Sequence, residues 1–208
     1  MTLQLIGRSS SHYTRLPRLF AEELGVAYEF VPIYDMTLTD PQVYAGNPAL
    51  KLPILRRDGS MLCGAQNICR AIAEHAPRER RLVWPEELRD DLSRNGHELV
   101  SHAMSAQVQL VFGTTVAKLP ADNLYFSKAR AGFEGCLRWL DAHLEQLLET
   151  LPAPRDLSVF EASLFCLVDH LAFRPTVSVE PYPALREFAR AFGARDSARR
   201  TAYKFDTP

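Results

Sequence analysis

The stretch Asn47–Ile72, NPALKLPILRRDGSMLCGAQNICRAI, carries the order of local signals that decides the fold. Its β-capable run Leu50–Arg56 is interrupted by Pro53, and a proline removes a ladder donor from a central strand. Asp58–Gly59 is a turn signal, and Ser60–Cys63 predicts a second short strand. An amphipathic helix with apolar positions at helical spacing follows directly. The stretch therefore predicts strand, turn, strand and helix in immediate succession.

The chain before this stretch adds three more elements. Thr2–Ile6 predicts a first strand, and a helix with apolar positions three and four apart ends at Gly25. Tyr28–Ile33 predicts a second strand, and Asp40–Pro41 begins a short helix in the polar loop that follows. Two right-handed crossovers closed by a hairpin give a small mixed sheet covered by helices.

The chain after this stretch has a different, purely helical pattern. It starts after the charged, proline-bearing run Ala76–Arg81. Ser127–Thr150 carries leucines and one phenylalanine at spacings of three and four, which predicts a packed helix face. Ser158 and Glu161 form a capping box before an apolar helix, and Pro183 opens the last helix. The predicted domains are residues 1–77 with the sheet, a linker at 78–85, and an all-helical domain at 86–208.

Composition excludes several classes of function. Lys and Arg number 24 against 25 Asp and Glu, so the overall charge does not favour nucleic acid or a membrane surface as a partner. The first residues lack a basic leader, and no apolar run approaches the roughly 18 residues of a membrane span. We therefore expect a cytoplasmic location. The cysteines form no C-x-x-C pair and the histidines do not cluster with them, which predicts reduced thiols and no metal site. The cysteines are Cys63, Cys69, Cys136 and Cys166.

The Asn47–Ile72 stretch resembles the pattern NP-x-x-(K/Q)-(V/L)-P-x-L, then G-x-x-L-x-E-S-x-x-I, of glutathione S-transferases, especially bacterial ones. The matching positions are Asn47, Pro48, Lys51, Leu52, Pro53, Leu55, Gly59, Leu62 and Ile68. The helical half resembles the same family at Leu157–Arg174, at Tyr182–Leu185 and in the tail from Arg195. The resemblance implies an α/β thioredoxin-like N-terminal domain of order βαβαββα, followed by an all-α helical-bundle C-terminal domain.

The resemblance also implies a chemistry. Such proteins bind glutathione as a co-substrate, transfer its thiolate to a small hydrophobic electrophile, use no metal and pair as homodimers. Ser11 falls where related proteins carry the hydroxyl that activates the thiol, and Tyr13 and Thr14 are alternatives. The start of a helix also stabilises an anion such as a thiolate. The competing interpretation is that a serine or threonine before a helix is only an N-cap.

The glutathione contacts implied by the resemblance lie in the opening stretch. Leu52, before Pro53, would offer its backbone N–H and C=O to the cysteinyl part, and Lys51 would reach the glycine carboxylate. The helix start would hold the γ-glutamyl end through Gly64, Ala65, Gln66 and Asn67. His12 and Arg15 are further candidates for the carboxylates, although exposed positions in solvent are equally consistent with the sequence.

Gly64-Ala65 replaces the acid and serine of the family pattern. Loss of a charge-assisted hydrogen bond costs about 1.5–3 kcal/mol. That corresponds to about ten- to a hundredfold in affinity. The alternative hypothesis is therefore a non-catalytic dimeric module, used for binding, scaffolding or regulation, whose glutathione site is weakened.

Overall fold

A computed structural model describes residues 3–208, so the predicted start of the first strand at Thr2 lies outside the described residues. The chain divides into two compact units, Met1–Arg80 with Ala194–Pro208, and Arg81–Gly193. This division differs from the predicted one, because the last residues had been placed in the helical domain. The predicted linker at 78–85 also contributes a short strand to the second unit.

The first unit contains a four-stranded mixed sheet in the order β2-β1-β3-β4. β1 is parallel to β2 and antiparallel to β3, and β3 is antiparallel to β4. The strands are β1 (Gln4–Gly7), β2 (Glu29–Pro32), β3 (Ile54–Arg57) and β4 (Ser60–Cys63). β3 begins immediately after Pro53, as expected of a residue that cannot donate to the ladder. The predicted thioredoxin-like order is confirmed.

The helices of the first unit are α1 (His12–Leu24), α2 (Ala65–Ala73) and the short α7 (Asp196–Arg200). α1 ends at Gly25, which has φ +67° and donates its N–H to the carbonyls of Ala21 and Glu22. A left-handed conformation at a helix end is the one that glycine adopts without steric cost.

The predicted second helix of the sheet domain is only one 3₁₀ turn, Pro41–Tyr44. Asp40 caps it by accepting the N–H of Gln42 at 2.9 Å. Ala45 at its end has φ +54°. The turn is too short to cover the sheet as a helix would, and Tyr44 is the residue by which it contributes to the core with Ile6, Ile33 and Ile54.

The second unit is helical, as predicted. Its helices are α3 (Asp91–Leu110), α4 (Leu124–Thr150), α5 (Val159–Phe173) and α6 (Pro183–Gly193). A π-helical turn, Val111–Val116, follows α3, and the short strands β5 (Leu82–Val83) and β6 (Leu157–Ser158) pair in parallel. Of the predicted capping box, the N-cap is confirmed, because Ser158 Oγ accepts the Glu161 N–H at 3.0 Å. The Glu161 carboxylate accepts hydrogen bonds from the Ser158 hydroxyl and the Arg155 guanidinium.

The sequence predicts neither a membrane-spanning helix nor a metal site. In the described part of the chain, no helix is long and apolar enough to cross a membrane. Among residues 3–208, the His, Cys, Asp and Glu side chains form no group of three or more that could hold a metal ion. The four cysteines are free thiols, and Cys69 and Cys166 are buried.

Candidate functional site

Three segments that carry predicted site residues meet at one edge of the sheet of the first unit. In the strand register, Ile6 of β1 lies opposite Ile54 of β3, and Ile54 lies opposite Cys63 of β4. The loop after β1, the residues before β3 and the start of α2 after β4 therefore emerge side by side. With neighbouring strands about 4.8 Å apart, the three segments begin within about 10 Å of one another.

The loop after β1 is a tight turn, residues 8–11, that leads into α1. The N–H of Ser11 donates to the carbonyl of Arg8 at 3.1 Å, which closes the turn. The Arg8 N–H donates to Thr14 Oγ1 at 3.4 Å, and the Ser9 N–H donates to Asp206 Oδ2 at 2.7 Å. The turn is thus held from the helix on one side and from the C-terminal residues on the other.

Ser11 is the N-cap of α1, which is the structural role that the sequence predicts for a serine before a helix. Its Oγ accepts the Thr14 N–H at 3.3 Å, and its backbone is extended, with φ −107° and ψ 125°. An accepting oxygen still carries its own proton, because a serine hydroxyl is a donor and a double acceptor. Ser11 is partly exposed. The cap therefore leaves Ser11 able to donate to a bound sulfur.

The other two candidate hydroxyls lie in different surroundings. Thr14 is fully buried (0 % exposed) and its hydroxyl faces the backbone of Arg8, so it supports the turn from inside. Tyr13 is partly buried, and burial raises the pKa of its phenol. Tyr13 is consequently a hydroxyl donor rather than a phenolate at neutral pH. Burial disfavours Thr14, whereas Ser11 and Tyr13 are both partly exposed hydroxyl donors.

His12 and Arg15 are not where the sequence interpretation placed them. Arg15 is only 2 % exposed, and its guanidinium donates to the Ala198 carbonyl at 3.0 Å. It also lies over the Tyr203 ring, 4.2 Å from the centroid. His12 is 2 % exposed beside the Tyr13 ring. Neither an exposed position nor a contact with a glutathione carboxylate fits this burial; on a helix start, both side chains face inward.

Leu52 and Pro53 are joined by a cis peptide bond. Leu52 is partly exposed, and within the described residues its backbone N–H and C=O have no hydrogen-bond partner. Asn47 holds the preceding loop, because its Nδ2 donates to the Lys51 carbonyl at 2.8 Å. Lys51 itself is exposed. The segment presents one open backbone donor, one open acceptor and one cation next to the turn of residues 8–11.

α2 starts at Gly64 without a side-chain cap. Gly64 has φ +91°, Ala65 is 9 % exposed, and Asn67 is exposed with its Nδ2 donating to the Cys63 carbonyl at 3.1 Å. The first backbone N–H with a helical partner is that of Ile68, which donates to Gly64. The N–H groups of Ala65 and Asn67 come before it in the helix, so they have no helical partner and are suited to bind a carboxylate.

Two features of the site were missed at the level of sequence. Arg8 is a partly exposed cation in the turn itself, and its guanidinium donates to the Tyr34 carbonyl at 3.0 Å. Its position directly after β1 was a signal that could have found it. Asp206 binds the Ser9 N–H from 197 positions away, and no local pattern announces such a pair.

The same unit has an open cavity of about 370 Å³ that is distinct from this site. It is lined by residues of β1, β2 and β3 and of the loop after β2, such as Val31, Tyr34 and Arg56. None of the predicted site residues lines it. The site at the sheet edge is therefore an assembly of backbone donors, hydroxyls and cations rather than an enclosed cavity.

Comparison with known proteins agrees with this architecture. Residues 5–80 match the family of glutathione S-transferase N-terminal domains. None of the curated proteins matches the sequence.

Solved structures with the same fold cover nearly the whole chain. A glutathione S-transferase from Methylobacillus flagellatus with glutathione bound has 22 % identity and a TM-score of 0.76, over 98 % of this chain and 100 % of that one. A glutathione transferase family member from Pseudomonas fluorescens with bound glutathione has 19 % identity and a TM-score of 0.79, over 98 % and 100 %. One from Methylobacterium radiotolerans in complex with glutathione sulfonate has 21 % identity and a TM-score of 0.73, over 100 % and 98 %. At these identities the likeness shows the fold alone.

Proposed function

We propose that the protein binds glutathione and transfers its thiolate to a small hydrophobic electrophile, because residues 5–80 match the glutathione S-transferase N-terminal domain. The observation that carries the proposal is the strand register, which gathers the Ser11 turn, Leu52–Pro53 and the start of α2 at one sheet edge. The glutathione bound in the similar structures from Methylobacillus flagellatus and Pseudomonas fluorescens supports it.

The cysteinyl backbone, the two carboxylates and the thiol of glutathione each have a matching group in this chain. The open N–H and C=O of Leu52 pair with the cysteinyl backbone, and Lys51 attracts the glycine carboxylate. The N–H of Ala65, at the start of α2, binds the γ-glutamyl carboxylate. These contacts direct the sulfur toward the turn of residues 8–11, where the Ser11 hydroxyl donates a hydrogen bond to it.

Ser11 contributes by stabilising the thiolate rather than by removing the proton. The hydrogen bond from its hydroxyl and the positive end of α1 both lower the pKa of the thiol, whose proton leaves to solvent. The thiolate then attacks the electrophilic carbon, a C–S bond forms, and a leaving group departs with the bonding electrons. On an activated double bond, the carbanion formed takes a proton from solvent instead.

A second candidate function is favoured by Gly64-Ala65. This pair supplies neither a carboxylate for the γ-glutamyl ammonium nor a hydroxyl for its carboxylate, which points to weak glutathione binding. A protein with the same fold and a weakened site would serve as a non-catalytic binding, scaffold or regulatory module. We also propose a homodimeric, cytoplasmic protein, as the family resemblance implies.

Calorimetric titration with glutathione, supported by thermal unfolding, separates the two candidates. Saturable binding is expected, and ligand at a hundred times its dissociation constant should raise the free energy of unfolding by about 2.7 kcal/mol. No heat and no stabilisation at about 10 mM glutathione, where even a 1 mM site would add about 1.4 kcal/mol, would reject the enzyme in favour of the module.

Ser11→Ala tests the assigned hydroxyl. We expect most of the conjugation rate to be lost while glutathione affinity is kept, because the hydroxyl acts on the sulfur and the tripeptide is held elsewhere. Ser11→Thr keeps both hydroxyl and cap and should remain active. Removal of a cap costs about 1 kcal/mol by itself, so Asn123→Ala, which removes the α4 cap, is the matched stability control. Wild-type turnover in Ser11→Ala would assign thiol activation to another group.

A further inference from the structure

The C-terminal segment, residues 194–208, belongs to the same compact unit as the predicted thiol site. It begins with an anchor on α1. Arg195 donates to both carboxylate oxygens of Glu23, at 2.7 and 2.9 Å, and the Ser197 hydroxyl donates to the same carboxylate. A bidentate arginine–carboxylate pair is among the stronger side-chain contacts. The start of the segment is therefore fixed near the end of α1.

A second anchor, at Arg15, lies about two turns closer to the start of α1. The buried Arg15 guanidinium donates to the Ala198 carbonyl at 3.0 Å and to Thr201 Oγ1 at 3.4 Å. Tyr203 covers the other side of this guanidinium, with its ring centroid 4.2 Å away. A buried charge is costly unless it is fully engaged, so these contacts hold the segment firmly on α1. The segment thus runs along α1 toward the turn of residues 8–11.

The segment reaches that turn at Asp206. Its Oδ2 accepts the N–H of Ser9 at 2.7 Å, which is short for a bond from a backbone N–H. The turn's own closing bond runs from Ser11 to Arg8, so it leaves the Ser9 N–H without an internal partner. Ser9 is 1 % exposed, and water does not compete for its N–H. The carboxylate of Asp206 is therefore the group that satisfies this buried donor.

We propose that Asp206 is a positioning residue for the predicted thiol site. Its hydrogen bond to Ser9 holds the Arg8–Ser11 turn in the geometry that presents the Ser11 hydroxyl. The catalytic consequence of this inference rests on the proposed function. The hydrogen bond by which Asp206 fixes the turn does not depend on that function. Because Asp206 acts through an acceptor oxygen, we expect asparagine to substitute for it. The asparagine amide keeps an acceptor oxygen and lacks the charge.

The test compares Asp206→Ala and Asp206→Asn in the full chain, with Thr207→Ala as the matched control at an exposed neighbour. The first measurement is amide hydrogen exchange of a peptide that contains Ser9, without any ligand. In Asp206→Ala we expect exchange of the Ser9 amide to accelerate by at least about tenfold, because its only acceptor is gone. Asp206→Asn and Thr207→Ala should exchange at about the wild-type rate.

The second measurement is steady-state conjugation with glutathione. We expect kcat of Asp206→Ala to fall by about tenfold, since misplacement of a reacting group by a fraction of an ångström has effects of this order. KM for glutathione should change little, and Asp206→Asn should restore kcat. A merely structural role would lower the thermal stability of Asp206→Ala without this split between kcat and KM.

The outcomes separate the two proposals. Unchanged Ser9 exchange in Asp206→Ala would overturn the positioning role, whatever the activity. Accelerated exchange with unchanged kcat would overturn the catalytic consequence. Asp206→Asn could turn over as slowly as Asp206→Ala while its Ser9 amide exchanges at the wild-type rate. The negative charge of Asp206 would then affect kcat, and the positioning role would be wrong. If the wild-type protein neither binds nor uses glutathione, the proposed function falls, and the exchange measurement still decides whether Asp206 holds the turn.

Discussion

Gly64 is the residue at which this chain departs from the glutathione transferase pattern, and its backbone explains part of the departure. With φ +91° and ψ 125°, its backbone lies in a region that residues with a side chain rarely adopt. A glutamate here would bring a carboxylate toward the γ-glutamyl ammonium but would strain the chain. Ala65, at the next position, is the first residue of α2, so its backbone conformation does not restrict it to glycine.

The two positions should therefore respond differently to the residues of the family. Ala65→Ser is expected to tighten glutathione binding by up to about tenfold, because it adds one hydrogen bond to a carboxylate without strain. Gly64→Glu should tighten binding as well but lower the free energy of unfolding by about 1–3 kcal/mol. Titration calorimetry and urea unfolding measure the two effects separately.

Gly64→Ala is the control for strain alone, and it should lose the same stability with no gain in affinity. Unchanged affinity in both Ala65→Ser and Gly64→Glu would mean that the γ-glutamyl end is held elsewhere. Unchanged stability in Gly64→Ala would mean that the turn before α2 accommodates a side chain after all.

At the scale of elements, the contact of β1 with α1 positions the thiol site. A Cβ on Gly7 would lie 2.4 Å from Thr14 Cγ2 and 2.6 Å from its Oγ1, so the strand and the helix approach as closely as glycine allows. This approach lets the Thr14 hydroxyl accept the Arg8 N–H. The Ser11 turn is thereby tied to the core of the unit rather than left as a free surface loop.

Gly7→Ala should therefore destabilise the protein by about 1–3 kcal/mol, through overpacking between β1 and α1. Gly132→Ala is the matched control on α4, where a Cβ meets nothing within 4 Å. There the same change should stabilise by about 0.5–1 kcal/mol, because alanine is the better helix former. Chemical denaturation gives both values.

Thr14→Ala added to Gly7→Ala should recover part of the loss, because it removes the two nearest of the three Thr14 atoms that the new Cβ would meet. The double variant should be more stable than the sum of the two single effects. Strict additivity would show that the clash lies elsewhere or that the backbone relaxes around it.

The contact of α1 with the C-terminal segment makes a prediction about pH. Burial would raise the pKa of the Glu23 carboxyl, but the hydrogen bonds and charge of Arg195, the Ser197 hydroxyl and the charge of Arg80 outweigh it and lower that pKa from 4.5. A folded-state pKa below the unfolded one stabilises the protein above the unfolded pKa, and the contribution disappears as pH falls through the folded pKa.

Glu23→Gln should thus cost stability at pH 6–7 and progressively less below pH 4.5, where the wild-type carboxyl begins to bind its proton in the unfolded chain. Urea unfolding of both proteins at several pH values measures this difference. Arg195→Gln should flatten the same dependence, because it removes the main partner. A cost of Glu23→Gln that stays constant down to pH 3 would contradict the assignment.

At the scale of the whole molecule, the chain returns to its first unit after the helical unit is complete. Residues 194–208 pack with Met1–Arg80, so both ends of the chain contribute to the unit that holds the predicted site. The homodimer implied by the resemblance concerns the same scale. It predicts a species of about twice the 23.5 kDa chain mass in size exclusion with light scattering.

That mass should persist when the protein is diluted over about a hundredfold, as expected for a family in which pairing is part of the stable structure. A species of one chain mass at every concentration would reject the homodimer. It would not affect the proposed glutathione site, since all the groups assigned to that site lie within one compact unit.

The sequence by itself determined the order of elements and several of their boundaries. Asp58–Gly59, Pro53 and Gly64 are residues whose backbone limits are local, so the turn, the start of β3 and the start of α2 follow from them directly. The N-cap at Ser158 is also part of a local pattern, so the sequence predicts it directly. The position of Ser11 before α1 was predicted on the same basis.

Tertiary structure alone decided what the side chains meet. The sequence offers Arg15 as a contact for a glutathione carboxylate or as an exposed cation, whereas its guanidinium is buried against Ala198. Asp206 binds the Ser9 N–H across 197 positions. Periodicity reports which face of an element is apolar, but it does not report which distant residue satisfies a buried charge or N–H. Those pairings depend on packing between segments that are close only after folding, because hydrogen bonds need contact distance and direction. The hydrogen bond from the Ser9 N–H to Asp206, which fixes the Ser11 turn, is one of these pairings.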